Sequence, residues 1–144
     1  MERIRIDDGS KTYEIVNQDD KVLGTFTFNP ADVGLVEKYN AVIKELEGVF
    51  SSLDGDGESE DRLVKASDEL KAKMDTLFGY DTSPFWAICS PLSPLASGEL
   101  YVENVLSGVA AVIEKETSVR LKKTKRKIDE YTKSYEAKAE KAKS

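Results

Sequence analysis

Residues 21–50 read KVLGTFTFNPADVGLVEKYNAVIKELEGVF, a strand running into a helix. Val22, Gly24, Phe26 and Phe28 alternate with Leu23, Thr25 and Thr27, the period-two pattern of a strand with one apolar face. Asn29-Pro30-Ala31-Asp32 carries helix-start chemistry. Asn29 suits an N-cap, Pro30 the first helical position, and Asp32 the positive end of the helix dipole. Leu35, Tyr39, Val42, Leu46 and Val49 then form an apolar column, with Val36, Ile43 and Phe50 beside it, as in a helix packed on a core. The stretch supplies scaffolding and no chemistry.

Upstream, Arg3-Ile4-Arg5-Ile6 and Tyr13-Glu14-Ile15-Val16 also alternate. Asp7-Asp8-Gly9-Ser10 and Asn17-Gln18-Asp19-Asp20 have turn composition, so residues 3–28 are expected to form an antiparallel meander of up to three strands. Downstream, residues 51–60 read as a polar loop. A second helix follows with Leu63, Ser67, Leu70, Met74, Leu77 and Phe78 on one face, closed by Gly79. A single helical turn is expected from Ser83 as cap through Phe85 and Trp86, limited by Pro91 and Pro94. Ser97 is the expected cap of a last helix carrying Leu100, Val102, Val105, Leu106, Val109, Val112 and Ile113. Leu121, Ile128 and Tyr135 recur at seven beyond it, with Tyr131 between, so the same helix is expected to run on and project from the body. The fold class is α+β and mostly helical: a small N-terminal antiparallel sheet of two or three strands packed by helices, and a long basic C-terminal helix. Residues 1–116 form the compact domain and 117–144 the basic extension.

A chain of 144 residues, 40% hydrophobic and 33% charged, can bury a core of its own. The net charge of −6 hides an asymmetry: residues 114–144 carry 11 Lys/Arg against 6 Asp/Glu, leaving 10 against 21 for residues 1–113. An acidic body with a basic extension suits self-association or a protein partner better than general nucleic-acid binding, because the body repels phosphate. Histidine is absent, which removes the commonest general base and transition-metal ligand. The one cysteine, Cys89, has no internal disulfide partner and fits a reducing cytoplasm. No stretch is long and apolar enough to span a membrane.

Asp54-Gly55-Asp56-Gly57-Glu58 resembles the start of a calcium loop, but Ser59 stands where glycine is needed and Lys65 where a bidentate glutamate is needed. Cys89 lacks an activating histidine, and the carboxylates lie scattered on polar faces. The expected protein is no enzyme and holds no metal or cofactor. The candidate interaction residues are the proline-flanked pair Phe85 and Trp86, the seam residues Leu121, Ile128, Tyr131 and Tyr135, and the basic residues Lys122, Lys123 and Arg126.

Three runs carry a family resemblance. The first is Thr25-Phe26-Thr27-Phe28-Asn29-Pro30-Ala31-Asp32 with Val36-Glu37-Lys38-Tyr39. The second is Gly98-Glu99-Leu100-Tyr101-Val102-Glu103-Asn104-Val105-Leu106. The third is Ile113-Glu114-Lys115-Glu116 with Arg126-Lys127-Ile128-Asp129-Glu130-Tyr131-Thr132-Lys133-Ser134-Tyr135. Together they resemble the tail assembly chaperones of long-tailed phages and prophages of Gram-positive bacteria. The resemblance implies a protein of the host cytoplasm, not of the mature virion. It would coat the long helical tape measure protein and recruit tail tube subunits. Many such chaperones are made in two forms by frameshifting, and the Lys/Ala-rich end from Ala137 to Ser144 suits the short form. The alternatives are a structural tail or connector subunit, and a small nucleic-acid-associated protein using the basic helix.

Overall fold

The structure is a computed structural model that describes residues 1–53 and 60–143. Two strands, β1 (Lys11–Val16) and β2 (Val22–Phe28), pair antiparallel as a hairpin. The register sets Tyr13 against Phe26 and Ile15 against Gly24 on the inner face. On the outer face the Thr12 and Thr27 hydroxyls hydrogen-bond at 2.7 Å. The Asn17 carboxamide holds the turn, accepting from the Asp19 and Lys21 amides, while Asp20 takes φ 61°. Asparagine and aspartate tolerate these roles through local side-chain bonding.

The expected first strand is not formed: among the described residues, 3–6 pair with no other strand. The chain turns directly after them. Asp7 and Asp8 each accept the backbone N–H two residues on, Gly9 sits at φ 76°, and Asn29 donates to the Asp8 carbonyl. The sheet therefore has two strands.

Helix α1 (Leu35–Leu53) begins five residues later than the Pro30 start expected from sequence. The helix-start residues are spent on two successive turns. Asn29 accepts the Ala31 amide at 3.0 Å, and Asp32 accepts that of Gly34 at 2.9 Å. The Leu35 amide then bonds the Asp32 carbonyl. Short polar side chains readily offer the backbone such an alternative to helix. Leu35, Val42 and Leu46 are buried as the column predicts, whereas Val36 faces solvent. The helix also runs past Phe50, into the segment expected to be loop.

Helix α2 (Glu60–Phe78) buries Ser67, Leu70, Met74 and Phe78. It stops at Gly79, whose φ of 84° suits only a residue without a Cβ and whose amide bonds Asp75 O at 2.8 Å. A Lys73–Glu45 ion pair at 2.7 Å ties it to α1. The short α3 (Ser83–Trp86) is preceded by Thr82, so Ser83 is its first residue and not its cap. Asp75 holds this junction by accepting from both the amide and the hydroxyl of Thr82.

Helix α4 (Tyr101–Lys143) is one continuous helix of 43 residues, about 65 Å long at 1.5 Å per residue. Its first amides are satisfied by a loop rather than by Ser97: Tyr101 N bonds Ser93 O, and Val102 N bonds Pro91 O, both at 2.9 Å. The Ser97 hydroxyl instead accepts the Glu99 amide within the preceding turn.

All elements meet in one core. Phe26 stacks within 4.9 Å of Phe28 and 4.7 Å of Phe85, with Phe78 at 6.2 Å. Leu35, Val42 and Leu46 of α1, Leu70 and Met74 of α2, Leu92, and Val102, Leu106 and Val109 of α4 close around these rings. The buried hydroxyl of Ser67 is satisfied by the Leu92 amide. Strand, helices and loop thus form an α+β fold, mostly helical, with a long C-terminal helix.

Candidate interaction surfaces

Helix α4 carries two consecutive environments on one face. Val102, Leu106, Val109, Ile113 and Thr117 follow one another at steps of four and three, and the first three are buried. The same stepping continues through Leu121, Thr124, Ile128, Tyr131 and Tyr135, with nothing covering it among the described residues. Leu121, Ile128, Tyr131 and Tyr135 are 57–65% exposed. Residues three and four apart share a helix face, so the exposed stripe prolongs the buried one.

A polar clasp marks where the environments change. Glu116 pairs with Lys11 at 3.2 Å and with Arg120 at 3.5 Å. The Thr117 hydroxyl reaches the Pro30 carbonyl, and Arg120 Nη1 donates to Gly9 O and to Asn29 Oδ1, both at 3.0 Å. The hydrogen bond from Lys11, with the positive charges of Lys11 and Arg120, holds the Glu116 carboxyl below its ordinary value. Arg120 is the last α4 residue to hydrogen-bond the body among the described residues. Beyond it α4 runs on for about 34 Å.

The basic residues divide around this stripe. At 3.6 residues per turn, Arg120, Lys125 and Lys127 border it, while Lys122, Lys123 and Arg126 lie on the far side. The Tyr131 and Tyr135 rings stack at 4.8 Å with hydroxyls 3.1 Å apart, and Lys138 lies over the Tyr135 ring at 6.0 Å. The hydrogen bond to Tyr135 raises the pKa of the Tyr131 phenol.

Phe85 and Trp86 belong elsewhere. Phe85 is only 8% exposed and stacks on Phe26. Trp86 is half-buried, donates from Nε1 to the Thr82 hydroxyl at 2.9 Å and meets Tyr101 edge-on. About 30 Å of helix separates Tyr101 from Leu121, so the aromatic pair and the stripe are different surfaces.

A second surface was not visible in the sequence. A groove of about 660 Å³ runs between β1, the 95–97 turn and the start of α4. Its walls include the consecutive residues 13–19, the rings of Phe26 and Phe85, and Val105, Val109 and Val112. Its charged lining residues are acidic, Glu14 and Asp19. Tyr101, at its edge, donates to the Phe85 carbonyl at 2.8 Å. Burial, with the nearby Cys89 thiol, pushes its phenol up to about 12. The buried Tyr13 hydroxyl has no hydrogen-bond partner among the described residues.

Among the described residues no cluster of three or more metal-ligating side chains occurs, and no helix is long and apolar enough to cross a membrane. The acidic stretch 54–59, where the calcium-like pattern begins, lies outside the described residues. Comparison with known protein families, with curated proteins and with solved structures finds no match to this chain.

Proposed function

We propose that this protein is a non-enzymatic tail assembly chaperone of a long-tailed phage or prophage. In this reading it acts in the host cytoplasm, holds the tape measure protein through the exposed stripe of α4, and helps bring tail tube subunits to it. The observation that carries the reading is the apolar stripe Leu121–Ile128–Tyr131–Tyr135, presented on a basic helix beyond the Arg120 clasp. An exposed stripe at helical spacing is what an amphipathic client helix packs against. A chaperone for a long helical client needs such a surface, with charge beside it to keep the complex soluble. The family resemblance of the three quoted runs supports the same reading.

The charges flanking the stripe favour a client over a second copy at this surface. A parallel in-register pair of α4 helices would set Arg120 of one chain against Lys125 of the other, a like-charge contact at the seam. A client helix with acidic flanks meets no such repulsion.

Co-expression with the tape measure protein of the same phage or prophage tests the proposal. A soluble complex that purifies as one species, with the tape measure protein insoluble when expressed alone, is the expected result. Tape measure protein that stays insoluble in both cases overturns it. Stable rings or tubes formed by this protein alone would favour a structural tail subunit. A gel shift with DNA that falls steeply with salt would favour nucleic-acid binding through Lys122, Lys123 and Arg126.

A further inference from the structure

We infer that the groove beside β1 is a strand slot, filled by residues 1–6 of a second copy of this chain. Among the described residues the sheet has two strands, so β1 has a neighbour on one side only. The groove is lined by seven consecutive residues from Tyr13 to Asp19, which places the open edge of β1 and the turn after it along its wall. An unpaired strand edge is a template for another extended segment, and β-strand addition is a common way of filling one.

The chain contains a segment of matching chemistry. Arg3-Ile4-Arg5-Ile6 alternates basic and apolar residues as an edge strand would. It lies unpaired, with Ile4 93% and Ile6 76% exposed. Among the described residues, residues 1–6 make no hydrogen bond or ion pair. Isoleucines at period two suit the half-buried Ile15, Val105 and Val112 of the groove, and the arginines between them suit Glu14 and Asp19. The charge pairing is one-directional: the groove's charged lining is acidic, and the segment is basic.

The arm's own hinge argues for a second copy. Asp7 bonds the Gly9 amide, Asp8 the Ser10 amide, Asn29 the Asp8 carbonyl and Arg120 the Gly9 carbonyl. With this turn formed the arm does not lie along its own β1, and insertion from another molecule leaves the turn as it is. The inference is independent of what the α4 stripe binds.

The test compares three full-length proteins by sedimentation velocity over a concentration series: wild type, Ile4→Asp/Ile6→Asp, and the stripe variant Leu121→Lys/Ile128→Lys. Both isoleucines are exposed, so the arm variant should keep the wild-type thermal midpoint at concentrations where both proteins are monomeric. Wild type and the stripe variant are expected to self-associate, and the arm variant to need at least about tenfold higher concentration to do so. Hydrogen exchange should show the amides of residues 13–19 protected on association of the wild type. A wild type that stays monomeric, or an arm variant that associates like wild type, overturns the inference. So does association without protection at 13–19.

Discussion

Arg120 Nη1 donates to Asn29 Oδ1 across 3.0 Å, joining residues 91 positions apart in sequence. The same nitrogen reaches the Gly9 carbonyl, so one guanidinium holds the start of the hairpin, the turn before α1 and the point where α4 leaves the body. Replacing Arg120 by alanine should therefore cost about 1.5–3 kcal/mol, the range for hydrogen bonds made by a charged group. Arg120→Lys should recover only part of this, because an ammonium lacks the planar fork. Urea unfolding of the three proteins gives the comparison.

Phe85 and Trp86 were paired by sequence as an interface candidate, and their burial leads to different expectations. Phe85→Ala opens the ring cluster around Phe26 and should cost about 3–5 kcal/mol. Trp86→Phe removes the hydrogen bond to Thr82 and should cost about 1 kcal/mol. Thermal or denaturant melts separate the two.

These cases show which features sequence can reveal. The strand β2, the core face of α1, the Gly79 stop and the α4 stripe were readable because spacing along one element reports one face. The start of α1 lies later than its cap chemistry suggests because Asn29 and Asp32 serve turns as well as caps, and only the surrounding packing decides between them. Residues 3–6 have strand periodicity, but a strand also needs a neighbour, and periodicity does not supply one. Arg120 opens the basic run RLKKTKRK, and nothing local sets it apart from its neighbours. Its partners at Gly9 and Asn29 lie 111 and 91 residues away, beyond any local signal. The groove arises from β1, β2, the 95–97 turn and α4 together, so no single stretch announces it.

Tyr101 gives the fold an alkaline limit. Its folded phenol is raised to about 12 from an ordinary 10.0, so the folded state favours the neutral form. That contribution is fully present below pH 10.0 and is lost as pH rises through about 12. Tyr101→Phe should lower stability at neutral pH by about 1 kcal/mol through the lost bond to the Phe85 carbonyl. It should also flatten the alkaline decline. Denaturant midpoints across this pH range check both effects.

Glu116 gives an acid limit by the opposite sign. Its carboxyl is held below the ordinary 4.5 in the folded state, so its contribution is present above that value and is lost as pH falls through the lowered one. The stability difference between wild type and Glu116→Gln should be constant at neutral pH and shrink below about pH 4.5. A difference that persists unchanged in strong acid would show that the Lys11–Glu116 contact contributes nothing through charge.

Capture of the tape measure protein by a full-length stripe variant tests most directly whether the α4 stripe is the docking surface. Leu121→Lys/Ile128→Lys/Tyr135→Lys changes only exposed positions beyond the Arg120 clasp, and its stability should match wild type within about 0.5 kcal/mol. If the proposed docking role is right, this folded variant captures at least about tenfold less co-expressed tape measure protein than wild type, about 1.4 kcal/mol of affinity. Equal capture by the two proteins would contradict it.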